Sequence, residues 1–483
     1  MKAYIFFSVH EELFHRVAAR LVTEGVDDFS GFVWSTFQER SLADRQVPYS
    51  RLCVFTRDLL PKCDDGKAPD LAWLAERERQ LGVSINRMLA SERHLLKGRT
   101  FSQRMRMAEV ALREIAAAYD RFQPDFVFTE DVSCFHSYVH YVLARERGIP
   151  FWCIARSRLQ YRVSIYSAGL QRWDRVERVF NSLMSRGLSS DQERVAQAYV
   201  DEFVHKPLRP TGMKTRAKMP KLELADLRRL GRVSMRYFSD SRDPTLTPPM
   251  RVIARRLQRM ARIKLAQARH AWDSPVPGEK YVLYPIHVQP EASTLVQAPL
   301  YVDQVALIDD MVKSLPIDHR LYVKEHVSNR GRRPQAFYDR IRANAAVRLL
   351  GPDEDTWSLI RGASVVAVIT GTVGFEACLF GKPVVTFGEV FFNVLPEVFK
   401  AGNAPKDRLF EIFSQAAHTE TRDRRALLAL VTALFEVTHP GFIGNPDTFP
   451  EALEPDNITN LASALLAEIG LARRTVRPLA SIE

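Results

Sequence analysis

The run Val365–Gly388, VVAVITGTVGFEACLFGKPVVTFG, constrains the fold more than any other part of the chain. Val365 to Ile369 is a short apolar, mostly β-branched run, the pattern of a parallel strand buried on both faces. A turn of small residues follows, Thr370-Gly371-Thr372-Val373-Gly374. Phe375 to Phe380 is long enough for about two helical turns. Gly381 suits a left-handed helix terminus, Pro383 stops the helix, and Val384 to Phe387 re-enters the sheet. Such a unit leaves bare backbone N–H groups at a helix N-terminus, where a phosphate or another anion can sit. Glu376, early in the same helix, can accept from a sugar or ribose hydroxyl. An ordinary βαβ unit whose glycines only tighten a turn satisfies the same local pattern.

The rest of the chain repeats this alternation. Tyr281–Pro285, Leu321–Lys324 and Val347–Leu350 read as further strands, separated by helical stretches. Towards the N-terminus, Ala3–Phe7, Phe32–Ser35, Arg51–Thr56, Asp125–Thr129 and Phe151–Ala155 read likewise. Regular β-α-β-α order predicts parallel, doubly wound sheets. At 483 residues the chain is too long for one core. The expected fold class is α/β, two Rossmann-like doubly wound domains facing across a cleft. The expected organisation is an acceptor-side domain over 1–201, a basic helical connector over 202–275, a nucleotide-sugar domain over 276–400 and a helical region over 401–483 packing back on both.

Charge marks the connector. Between His205 and Trp272 there are eighteen Lys and Arg against four acids, a net of +14 within a chain of net +11, so the remainder carries about −3. Met250–Trp272 holds seven basic residues and no acid. Ile253, Leu257, Met260 and Ile263 recur at helical spacing, the layout of a basic amphipathic helix at a lipid interface or of a long helix packed across a domain junction. An anionic membrane surface is the expected partner of 205–272. Nucleic acid is not, because the segment lacks interleaved aromatics. No apolar run approaches a membrane span. MKAYIFFSVHEE reads as a first strand and not as a secretory signal. Five scattered cysteines without CxxC spacing argue against a metal site or a disulfide framework and fit a reducing cytoplasm.

In open α/β sheets, ligands gather at the carboxyl ends of strands. In the C-terminal half those turns supply Gln289, Glu291, Ser293, Lys324, His326, Thr370, Gly371, Thr372, Gly374 and Glu376. Together they predict a pocket for a nucleotide sugar. His326 can donate to a phosphate oxygen or cap its own turn. Lys324 can pair with a carboxylate, and Glu291 can cap a helix. In the N-terminal half, Glu130 and Asp131 end a strand. A carboxylate there can deprotonate an acceptor hydroxyl or attack an anomeric carbon; Asp131 or Ser133 can equally cap the next helix. Arg156, Arg158 and Arg162 suit a substrate carboxylate or phosphate, or plain surface charge. Ser8 and His10 follow the first strand, near the same edge.

QPEAS (289–293), LYVKEH (321–326), GPDED (351–355) and above all TGTVGFEACLFGKPVVTFG (370–388) resemble the bacterial capsule polysaccharide biosynthesis proteins, a family that includes capsule β-Kdo glycosyltransferases. DFVFTED (125–131) and GIPFW (148–152) add to the likeness. The resemblance implies a GT-B architecture, a donor nucleotide in the C-terminal domain, an acceptor in the N-terminal domain and a glycolipid or polysaccharide product. Relatives commonly carry His-Pro where this chain has His326-Val327, and Glu-Asp-Gly where it reads Glu130-Asp131-Val132. The enzyme class therefore carries over more firmly than a CMP-linked donor does.

The expected function is a metal-independent glycosyltransferase of surface polysaccharide assembly. It would be cytoplasmic, peripheral on the inner membrane face, with no tightly bound cofactor, and act on a lipid-linked or polymeric acceptor. Asp353-Glu354-Asp355 is the nearest approach to a cation-binding motif and reads as a loop and helix cap. The alternatives are an epimerase or polyol-phosphate transferase on the same fold, and a non-catalytic export or scaffold protein.

Overall fold

A computed structural model describes residues 1–8, 10–43, 47–167, 173–208, 224–268, 272–419 and 423–475. Within the basic connector expected over 202–275, residues 209–223 and 269–271 lie outside them. Among the described residues, thirteen strands form two sheets. The first contains β1 (Lys2–Phe6), β2 (Asp28–Val33), β3 (Tyr49–Val54), β4 (Phe126–Thr129), β5 (Phe151–Arg156) and β6 (Arg162–Tyr166). The second contains β7 (Tyr281–Pro285), β8 (Arg320–Lys324), β9 (Val347–Leu350), β10 (Val365–Val368), β11 (Val384–Thr386) and β12 (Val398–Lys400). β13 (Thr438–Pro440) returns to the first sheet.

The first sheet runs β13-β6-β5-β4-β1-β2-β3, parallel from β5 to β3, with β6 and β13 antiparallel at one edge. The second, β12-β11-β10-β7-β8-β9, is parallel throughout. Both are doubly wound, as the alternation predicts. Each also has a point where strand order reverses: between β1 and β4 in one, and between β7 and β10 in the other. Adjacent connections leave a sheet in opposite directions there, which opens a crevice at the carboxyl ends.

Strand periodicity decides the cores. Tyr4 and Phe6 face the Phe101–Phe122 and Phe135–Glu146 helices, while Ala3, Ile5 and Phe7 face the Glu11–Thr23 helix and the C-terminal Pro455–Thr475 helix. The stretch expected as a single N-terminal unit, 1–201, is divided by packing. Val176, Phe180, Leu183, Ala196 and Val200, on the Asp174–Arg186 and Ser190–His205 helices, join Leu283, Val366 and Val368 in the core of the second sheet. The C-terminal region crosses the other way through β13 and the last helix, so each half of the chain lends elements to the other's sheet.

The run that opened the sequence reading folds as expected, with one shift in register. Its helix is Thr372–Leu379 and starts inside the turn. Gly374 is therefore helical, and its role is steric. A Cβ there would lie 2.7 Å from Phe392 Cζ and 2.8 Å from Val368 Cγ2. The helix can approach β10 this closely only without a side chain. Gly374→Ala is expected to lower stability by roughly 1–3 kcal/mol through overpacking, more than alanine's helix propensity returns. Urea unfolding against wild type checks this.

Candidate active site

The two crevices hold most of the residues singled out from sequence. In the first, β1 and β4 end side by side. Ser8 Oγ donates to Glu130 Oε2 at 3.1 Å, and His10 Nδ1 lies 2.7 Å from the same oxygen. His10 is buried at the start of the Glu11–Thr23 helix. Desolvation pushes the Glu130 carboxyl up, but the His10 hydrogen bond and charge, the Arg156 charge and the Ser8 hydroxyl outweigh it and hold the carboxyl below its usual range. Glu130 is thus an anion beside the His10 ring, and its carboxylate favours a proton on Nδ1. Asp131 does not cap the following helix, whose N-cap is Cys134. It accepts instead from Tyr166 Oη on β6 at 2.8 Å.

In the second crevice, β7 and β10 end side by side. His287 follows β7 and its Nε2 accepts from the Ile369 N–H at 3.2 Å. Gly371 lets it fit: a Cβ there would lie 3.2 Å from His287 Cε1. Gln304 holds the His287 backbone from both sides, accepting from its N–H at 2.7 Å and donating to its carbonyl at 3.1 Å. The Thr372–Leu379 helix begins at Gly371 with no side chain capping it, so its first N–H groups face the crevice edge. Thr370 Oγ1 donates to the Ser293 carbonyl at 3.1 Å, while Ser293 Oγ is buried without a hydrogen-bond partner. Glu376 accepts from Trp357 Nε1 at 2.8 Å.

Several expected ligands turn out to hold the scaffold. Gln289 Nε2 donates to the Val302 carbonyl at 2.7 Å. Lys324 is buried, with Nζ on the carbonyls of Glu325 and Pro352. His326 caps its own turn, Nδ1 accepting from the Ser328 N–H at 3.1 Å. Glu291 starts the Ala292–Leu295 helix without a side-chain cap bond, and desolvation raises its carboxyl against the Arg93 and Arg332 charges. Arg162 also serves the scaffold: its guanidinium donates to Thr438 Oγ1 at 2.7 Å and to the carbonyls of Phe435 and Thr438, tying β6 to the end of the Arg424–Val437 helix. Asp355 caps the Thr356–Gly362 helix and Asp353 pairs with Arg330.

Arg156 and Arg158 join the two crevices. Arg156 Nε donates to the Ile443 carbonyl at 2.7 Å, and its charge reaches both Glu130 and Arg158. Desolvation pulls the Arg158 pKa down to about 10, opposed by the Glu376 carboxylate and reinforced by Arg156. The Glu130 carboxylate thus feels the Arg156 charge, and Arg158 feels those of Arg156 and Glu376. Sequence reasoning missed Tyr166, Trp357 and Gln304, which orient Asp131, Glu376 and His287. Trp357 follows the visible Asp355 cap, but nothing local marks the other two.

Residues 242–404 match the capsule polysaccharide biosynthesis protein family. The matched region spans β7 to β12 and so contains the whole second crevice. No curated protein matches the chain. Among solved structures it is similar to KpsC of Thermosulfurimonas dismutans, a β-Kdo 2,7 transferase, at 12% identity and TM-score 0.40, over 74% of this chain and 89% of that one. It is similar to the β-Kdo 2,4 transferase of the same KpsC at 13% and 0.38, over 68% and 88%. The UDP-GlcNAc 2-epimerase of Neisseria meningitidis, bound to UDP-GlcNAc, gives 11% and 0.24, over 90% and 98%.

Burial, with the charges of His326 and Arg333, pulls the His287 pKa from 6.5 down to about 4. The unfolded chain takes up this proton first, so the contribution is complete above 6.5 and is lost as pH falls towards 4. Between about pH 7 and pH 4.5, wild type is expected to lose roughly 2 kcal/mol more stability than His287→Gln. Urea unfolding of both across that range measures it.

Proposed function

We propose that the protein is a glycosyltransferase of capsule or other surface polysaccharide assembly, taking a nucleotide sugar in the second crevice and an acceptor in the first. The observation that carries this is the Glu130 carboxylate shared by Ser8 and His10 at one crevice, with an uncapped helix N-terminus at the other. The family match over 242–404 supports the polysaccharide setting.

In this reading the donor phosphate sits at the N-terminus of the Thr372–Leu379 helix, with Thr370 and Thr372 beside it and Glu376 on the ribose. The free Ser293 hydroxyl has a ligand atom to meet. His10 Nε2 takes the acceptor hydroxyl proton as the new C–O bond forms at the anomeric carbon. Glu130 stabilises the resulting imidazolium. The bond from anomeric carbon to phosphate oxygen breaks, and Arg158 and the helix N-terminus meet the charge on the departing nucleotide. Asp131, held by Tyr166, borders the sugar. A lipid-linked or polymeric acceptor on the cytoplasmic side fits a donor of this kind, and a CMP-linked sugar is one candidate. The charge on the leaving nucleotide is met by protein groups, so transfer is expected to continue in the presence of a chelator.

Incubation with CMP-, UDP- and CDP-linked sugars, scored for nucleotide release and for sugar transferred, tests the class. Glu130→Gln and His10→Asn are each expected to cut turnover by about 10²–10⁴-fold while nucleotide binding persists. Glu376→Ala is expected to weaken nucleotide binding instead. Full turnover in both first-crevice variants would remove them from catalysis.

A further inference from the structure

The basic connector forms a helical hairpin, Leu224–Ser239 and Pro249–Ala268, that straps the two domains together. Just past the first helix, Asp240 is buried and accepts from Thr36 Oγ1 at 3.2 Å and Thr56 Oγ1 at 2.7 Å, beyond the carboxyl ends of β2 and β3. The second helix is fixed to the turns after β8. Arg259 Nε donates to the Arg330 carbonyl and Arg262 to the Arg332 carbonyl, both at 2.7 Å. Ile263 is buried against Gly331, where a Cβ would lie 2.7 Å from Ile263 Cγ1. The hairpin therefore touches the carboxyl edge of both sheets, the edge that carries the two crevices.

That anchoring splits the apolar stripe read from sequence. Ile263 turns inward, but Ile253 and Leu257 turn out, on the same face as Met250, and Leu265 is exposed beside that face. Met250 is 74% exposed and Leu257 61%; on the first helix Phe238 is 77% exposed. Lys264 lies within this ridge and Arg251 borders it, Arg255 lies on the other side of the helix, all three are exposed, and 249–268 contains no acid. A crest of exposed large apolar side chains on a helix that carries exposed basic residues and no acid suits a lipid headgroup layer. A nucleic acid would leave the aliphatic crest exposed. Phosphate headgroups meet the arginines while the acyl boundary takes Met250 and Leu257.

We infer that the outward face of this hairpin docks on an anionic bilayer and presents the cleft mouth to the membrane surface, where a lipid-linked acceptor lies. The inference goes beyond the transferase reading and its test needs no donor, so either can fail without the other. Sedimentation of the full chain with phosphatidylglycerol-containing vesicles is expected at low salt and not with phosphatidylcholine alone. Arg251→Gln with Arg255→Gln is expected to weaken it about 25-fold, fivefold per charge. Leu257→Ser with Phe238→Ser is expected to weaken it as well, with an unchanged thermal melt because these side chains are exposed. Arg259, Arg262 and Ile263 are left intact because they hold the hairpin. Absence of low-salt binding to the anionic vesicles overturns the inference. So does binding that loses its charge dependence, or that Leu257→Ser and Phe238→Ser leave unchanged, the result expected of a soluble polyanion partner.

Discussion

The structure depends on parallel strand direction. Parallel strands put every β→α turn on one edge of a sheet, and the two order reversals open a crevice on each such edge. Everything chemically distinctive in this chain is a consequence of which residues occupy those edges. The burial of β10 on both faces, with Val365, Val366, Ala367 and Val368 all inaccessible, holds the second edge rigid. Gly371 and Gly374 then let His287, Phe392 and the following helix close up around it.

Coupling between the crevices is electrostatic before it is steric. Glu130 is kept ionised against its desolvation by His10 and Arg156, and Arg158 loses part of its basicity through the same desolvation that brings it to Glu376. In a partly dehydrated cleft these interactions are less screened than on an open surface. The chain crossings favour the same closeness, since helices from the first half pack on the second sheet and β13 returns to the first.

Strand–turn–helix periodicity was enough to read both sheets and their central strands, because a buried parallel strand leaves a continuous apolar run. It was not enough to read β6 and β13. Their ranges, Arg162–Tyr166 and Thr438–Pro440, are short, and they pair antiparallel with each other 276 residues apart. Ser8, His10, Glu130 and Asp131 could be placed near one edge from topology. That His10 and Ser8 share one Glu130 oxygen could not, because it depends on the rotamers of residues about 120 positions apart. Lys324, His326 and Arg162 mark the opposite failure: a polar side chain at a strand end has the same local sequence whether it waits for a ligand or satisfies a backbone carbonyl or N–H.

From the sequence alone came the alternation of elements, the glycine-spaced β10 turn and the concentration of charge between 205 and 272, since each is a local pattern with a local physical cause. Tertiary structure decided which polar groups are already satisfied. It also decided which side of the Pro249–Ala268 helix faces water. An apolar stripe as broad as Met250 to Ile263 can be packed along either of its borders. Arg259, Arg262 and Ile263 take the inward side because Gly331 leaves room there, and Met250 and Leu257 are left outward.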